Sequence, residues 1–238
     1  MKIGLAILYC LAAPILAASP ALAQLERTSV SRDQSLAIVA QTIVPDTAIE
    51  QLGAGMIDSG LKKRLIDTPE ITKLEKQYPG IVDVVIAASI AHVRQRSATV
   101  TAGLQGEIRS SFGGDLKDGQ LLELAAALRP LHDYLGQMKI SFEPGDTATQ
   151  AMARLEGDPA AQAAQGQTQA HIEQLARKPG GAAMIAEFVN FKQSFGARQN
   201  EAIRALAREA FDEGRRSANA FAKSRGATRA PFPEVDYR

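Results

Sequence analysis

Apolar residues along this chain recur at three- and four-residue spacing from Ser31 to Ser224, and period-2 alternation is scarce. That spacing lines one face of a helix and predicts an all-α fold. Ser31 and Gln34 fit a capping box ahead of Leu36, Ile38, Val39 and Ile43, each side chain able to satisfy a free backbone N–H. Pro45 predicts the start of a second helix, with a seam of Ile49, Leu52, Met56, Leu61 and Leu65 broken by Gly53, Gly55, Ser59 and Gly60. Those small residues imply close approach by a neighbour, against their low helix propensity. Thr68 followed by Pro69 opens a third helix that ends near Tyr78, since proline at the first helical position loses no needed hydrogen bond.

After Pro79 and Gly80, a stripe of Val82, Val85, Ile86, Ser89, Val93, Val100, Leu104, Ile108 and Phe112 predicts one long helix, with a bend where β-branched residues and glycines gather from Thr99 to Gly106. Gly113 and Gly114 close it, and Asp118 is the predicted cap of the next helix, carrying Leu121, Leu122, Leu124, Ala125 and Leu128. Pro130 is expected to end or kink that helix, with a continuation from Leu131 to Ile140. From Ser141 to Gly166 the chain turns rich in Ala, Gln, Gly and Pro, the best place for a mobile connection holding a turn or two of helix. The helical pattern resumes from Gln167 to Arg177. Past Pro179 it continues as a second long helix with Met184, Phe188, Phe191 and Phe195 on one face, followed by Ile203, Leu206, Ala210, Phe211, Ala218 and Phe221. These lengths and short connections predict a single domain, an elongated antiparallel bundle of about six to eight helices over residues 24–226. The last stretch, 227–238, has two prolines and no period, and is expected to be disordered or loosely docked.

The first 23 residues change the setting. Lys2, an apolar run from Ile3 to Ala18 and small residues at Ala21 and Ala23 make a cleavable signal peptide. The run is short for a span of about 20 residues and contains Pro14, so no transmembrane segment is expected after cleavage. Cys10, behind Tyr9, lacks the setting of a lipid attachment site, and it is the chain's one cysteine. The exported chain, in the periplasm or secreted, therefore has no disulfide, thiol nucleophile or cysteine-bound metal. Loss of Lys2 takes 27 basic and 26 acidic residues to 26 of each. Basic and acidic residues are interspersed and tryptophan is absent, which argues against nucleic acid as a partner.

Candidate chemistry is sparse. His92, His132 and His171 have no second histidine or cysteine at ligand spacing, so no metal or cofactor is expected. Ser59 and Lys62 make an SxxK, the pairing that sets a serine beside a lysine one helical turn on. Its usual companions fail in order and in class, because SAN at Ser217–Asn219 follows KPG at Lys178–Gly180 and neither lies on a strand. Gly53, Gly55 and Asp58 form half a dinucleotide fingerprint without the preceding strand, and read as packing glycines. The Met184, Phe188, Phe191 and Phe195 stripe has the spacing of a buried helix face, or else of a groove for an apolar ligand or a partner's helix.

LKDGQLLELAAALRP, from Leu116 to Pro130, and LARKPGGAAM, from Leu175 to Met184, resemble parts of a small helical domain of unknown function found in exported proteobacterial proteins. In that family an acidic helix of type ELxxLxxFYxSPxG leads into a break and a further helix. Here the pieces stand apart, Ala127 and Leu128 occupy the usual aromatic positions, and Lys178 replaces the serine before proline. The resemblance implies an all-helical periplasmic protein and adds no catalytic residue.

The leading expectation is a non-enzymatic helical protein of the cell envelope that binds an envelope protein or itself. The alternatives are a carrier of a small apolar ligand or lipid behind the phenylalanine stripe, and a hydrolase using Ser59 and Lys62.

Overall fold

The computed structural model describes residues 31–61, 65 and 67–232. Residues 1–30, which include the expected signal sequence, lie outside them, as do Lys62 and residues 233–238. Among the described residues there is no strand, and the helices pack as an all-α bundle: α1 (Arg32–Ile43), α2 (Ala48–Met56) running into a π-helical turn (Ile57–Leu61), α3 (Pro69–Gln77), α4 (Ile81–Ser111), α5 (Asp118–Leu135), α6 (Ala148–Glu156), α7 (Pro159–Ala176) and α8 (Gly181–Ser224). The chain divides into two compact units. Of the described residues, one holds those from Ser31 to Asp46 with Ala102–Met138 and Met152–Arg198; the other holds those of Thr47–Thr101, Lys139–Ala151 and Gln199–Phe232.

In the first unit α1 packs on α5, and α5 on α7. The Ser31 capping box forms as the sequence implies, the hydroxyl accepting from the Gln34 amide at 3.2 Å and the Gln34 side chain accepting from the Ser31 amide at 2.9 Å. Leu36, Val39, Ala40 and Ile43 of α1 are buried, as are Leu121, Leu124, Leu128, Leu131 and Leu135 of α5. Asp118 is not the cap of α5. Lys117 holds that position, its amide donating to the Gln120 side chain at 2.9 Å, while Asp118 accepts from Arg32 at 2.8 Å. The same guanidinium donates to the Gly113 and Leu116 carbonyls at 2.6 and 2.9 Å, so one side chain ties the start of α1 to the α4–α5 turn. Likewise Pro45 does not open α2, which begins at Ala48. The neighbouring Asp46 carboxylate instead accepts from Gln105 at 2.7 Å, and Gln105 also donates to the Val44 carbonyl at 2.9 Å.

Pro130 lies inside α5 instead of ending it. Proline disrupts the hydrogen-bond ladder around its own position, and here the amide of Leu131 donates to the buried hydroxyl of Thr168 on α7, at 3.1 Å. The helix stops at Leu135, short of the expected continuation to Ile140, where Gly136 takes the C-cap. The expected mobile connection is largely helical. Asp158 caps α7 by accepting from the Ala160 amide at 3.0 Å, with Pro159 at the first position. Ala161 and Ala164 are buried on it. Small side chains let α7 lie close to α5, which is what the change in composition marks.

In the second unit the small residues of α2 have the partners the sequence implied. A Cβ on Gly53 would stand 2.9 Å from Val93 Cγ1, and one on Gly55 would enter the Phe142 ring. Pro69 opens α3. The Glu75 carboxylate then accepts from the Gly80 and Val82 amides at 2.7 and 3.1 Å, satisfying donors that the start of α4 leaves free. The core joins Tyr78, Ile81, Val82, Val85 and Ile86 to Ala218 and Ala222 of α8. At Gly214 the two helices touch through their backbones: a Cβ there would meet Ser89 Oγ and stand 2.7 Å from the Val85 carbonyl oxygen.

Candidate functional site

Ser59 is nearly buried in the π-helical turn. Its hydroxyl lies 2.7 Å from the Gly55 carbonyl and 3.2 Å from that of Asp146, and its own carbonyl accepts from the Gly145 amide at 3.1 Å. The hydroxyl is thus engaged with backbone acceptors and anchors the 143–147 loop on the turn. Lys62, its proposed partner, lies outside the described residues.

Met184, Phe188 and Phe195 are buried, and Phe191 is half-buried. The three phenylalanines share one aromatic cluster with Phe112, a residue the stripe alone did not bring in. Phe112 meets Phe188 edge-on at 6.0 Å and Phe191 at 5.1 Å, and Phe191 stacks on Phe195 at 5.7 Å. These are ordinary separations for packed aromatic pairs. Lys192 falls in the same helical register, four residues after Phe188 and three before Phe195. Burial pushes its ammonium down to about 8 from an ordinary 10.5.

Because the folded value is the lower one, both folded and unfolded chains hold this proton below pH 8, and the folded form then bears the whole desolvation penalty. Between about 8 and 10.5 the folded chain releases the proton first, so the penalty fades and stability rises with pH across that window. Lys192→Met is expected to stabilise the protein at pH 7 by about 1–3 kcal/mol. The gain shrinks toward pH 10.5, as thermal melts across that range will show.

Two of the three histidines are tied up separately. His132 lies 2.9 Å from Asp133 Oδ1 and 2.9 Å from Gln41 Oε1, and His92 is 3.4 Å from Glu209. Among the described residues no group of three or more His, Cys, Asp or Glu side chains is placed to hold a metal. Nor is any described helix long and apolar enough to cross a membrane.

A further arrangement was not legible as a site. Gly226 ends α8 at φ 92°, and the Ala227 amide donates back to the Ala222 carbonyl at 3.0 Å, turning the chain onto the helix it has just left. Phe232 then joins the α4–α8 core of the second unit, only 9% exposed. Asn219 of α8 holds it by both backbone groups: Nδ2 donates to the Phe232 carbonyl at 2.8 Å, and the Phe232 amide donates to Oδ1 at 2.9 Å. As far as Phe232, then, the tail expected to be disordered or loosely docked has a defined seat. Between Lys223 and Pro231 no residue is buried.

Burial of the ring is worth about 2–3 kcal/mol, and the two hydrogen bonds about 1 kcal/mol each. Ordering the backbone from Ala227 to Phe232 costs about 1 kcal/mol per residue, less at Pro231. Gain and cost are of one size, so docking of the segment rests on one ring and one amide. Asn219 entered the sequence reading only as the end of an SAN triplet. The signal that points to its partner is a lone phenylalanine set between Pro231 and Pro233 in a stretch without helical period.

Compared with models of protein families, with curated proteins and with solved structures, the chain matches none.

Proposed function

We propose that this is an exported, non-enzymatic helical protein that works by binding a segment of another polypeptide, at the seat formed by Asn219 with the α4 and α8 core. One observation carries the reading: Asn219 takes the amide and the carbonyl of one residue together while that residue's ring is buried. Recognition of extended peptides elsewhere rests on the same division, with main-chain hydrogen bonds supplying affinity and a side-chain seat supplying specificity. The signal sequence supports a place in the periplasm or outside the cell. The fluorescently labelled peptide TRAPFPEV, matching Thr228–Val235, is expected to bind the full chain with a dissociation constant between about 1 mM and 1 μM. Asn219→Leu is expected to weaken that binding at least tenfold. Absence of binding at millimolar protein would sink the reading.

A carrier of an apolar ligand bearing a negative group is the second reading. It is supported by the desolvated ammonium of Lys192 beside the half-buried Phe191. A lipid-sized added mass in the native mass spectrum of the exported protein would move this reading to the front.

A further inference from the structure

We infer that the seat is blocked in cis, its own C-terminal segment acting as a weak competitor, and that the partner it admits carries an aromatic residue between two prolines in an extended chain. The inference rests on the peptide-binding reading above. Its starting point is chemical. Pro231 and Pro233 have no amide hydrogen, so Phe232 carries the sole backbone donor of the three. Asn219 takes that donor and the same residue's carbonyl. A single side-chain amide can satisfy one residue in this way, and proline on either side leaves no further donor in need of a partner.

Prolines also hold the segment near the extended conformation before it docks, which reduces the ordering it must undergo. A leucine or valine would leave part of the seat unfilled. The ring instead belongs to the buried cluster that includes Tyr78, Ile81, Val82 and Ala218.

The cis segment has the features of a competitor and not of a permanent part of the core. It is attached through the exposed residues Lys223–Gly226 and turned back at Gly226, and it reaches the core chiefly through Phe232, with Ala227 partly buried against the same cluster. A foreign segment with the same anchor must wait for the fraction of molecules in which the tail is out, and its apparent affinity falls by that fraction.

The test uses the full chain and the labelled TRAPFPEV peptide. Phe232→Ala removes the cis anchor while leaving the seat intact, and the peptide is expected to bind this variant about two- to fivefold more tightly than the unaltered chain. Gly226→Val reaches the same release by another route, because a β-branched residue is strained at φ 92°. It is expected to move affinity in the same direction. In the Phe232→Ala chain, Asn219→Leu is expected to abolish the gain, and a peptide with alanine for both prolines is expected to bind several-fold more weakly.

Melting temperatures confirm that each variant is folded during the titration. Equal affinity for unaltered, Phe232→Ala and Gly226→Val chains overturns cis blocking while leaving peptide binding in place. Equal affinity for the alanine-flanked peptide overturns the proline requirement. Binding that survives Asn219→Leu, or no binding by any chain, overturns the seat itself and with it the proposed function.

Discussion

Phe188→Ala is expected to destabilise the protein by about 3–5 kcal/mol, the range for removing a buried aromatic ring. Phe188 is 4% exposed and packs edge-on against Phe112, so truncation loses both the transfer of the ring from water and an aromatic contact, and leaves a void between two helices. At about 3 °C per kcal/mol for a chain of this length, the melting temperature should fall by roughly 10–15 °C. The result also bears on the stripe of Met184, Phe188, Phe191 and Phe195. A stripe that is purely core gives the full loss. A stripe that lines a ligand site tolerates the change, with little effect on the melt of ligand-free protein and a lowered capacity for apolar ligand. A fall of less than about 3 °C would therefore count against core packing.

Gly214→Ala is expected to destabilise by at least about 2 kcal/mol, although alanine is the better helix former by about 1 kcal/mol. The new methyl would meet Ser89 Oγ and stand 2.7 Å from the Val85 carbonyl oxygen. A side chain can turn aside, but the carbonyl belongs to α4 itself and can move only if the helices part. Separation would loosen the Val82, Val85 and Ala218 packing on either side. Amide exchange should then quicken along residues 81–90 and 210–222. If Gly214→Ala raised the melting temperature instead, helix propensity would outweigh contact and the close crossing would not hold in solution.

The helices themselves were legible because periodicity is a property of the buried face, and each buried face here is one chain segment long. The α4 stripe from Val82 to Phe112 and the α8 stripe through Phe221 needed no knowledge of a neighbour. The packing role of Gly53 and Gly55 was legible for a related reason: small residues interrupt an apolar seam only where something comes close. What the pattern could not supply was pairing across the chain. Asp118 looks like a cap because it precedes a helix, and only the approach of Arg32 gives it another use. Pro130 looks like a stop because its cost is local, whereas Thr168 is 38 positions further on. Phe112 and the phenylalanines of α8 lie on separate stripes and join only once both helices are placed. The seat of Phe232 was hidden most completely, since a lone phenylalanine between two prolines marks an anchor without naming Asn219 as the residue that receives it. The Ser59 hydroxyl lies against the Gly55 carbonyl one helical turn back and the Asp146 carbonyl far along the chain, and only the first of these was within reach of the local pattern.

The bond from the Leu131 amide to the Thr168 hydroxyl has a spectroscopic consequence. A typical helical amide is shielded by its own helix and exchanges its hydrogen for deuterium when that turn frays. The Leu131 hydrogen is held by a neighbouring helix, so its exchange counts the moments when α7 lifts from α5 even while α5 stays coiled. In a nuclear magnetic resonance spectrum that single peak would act as a gauge of how firmly two helices are joined, separate from the gauge every other turn provides of whether they are formed.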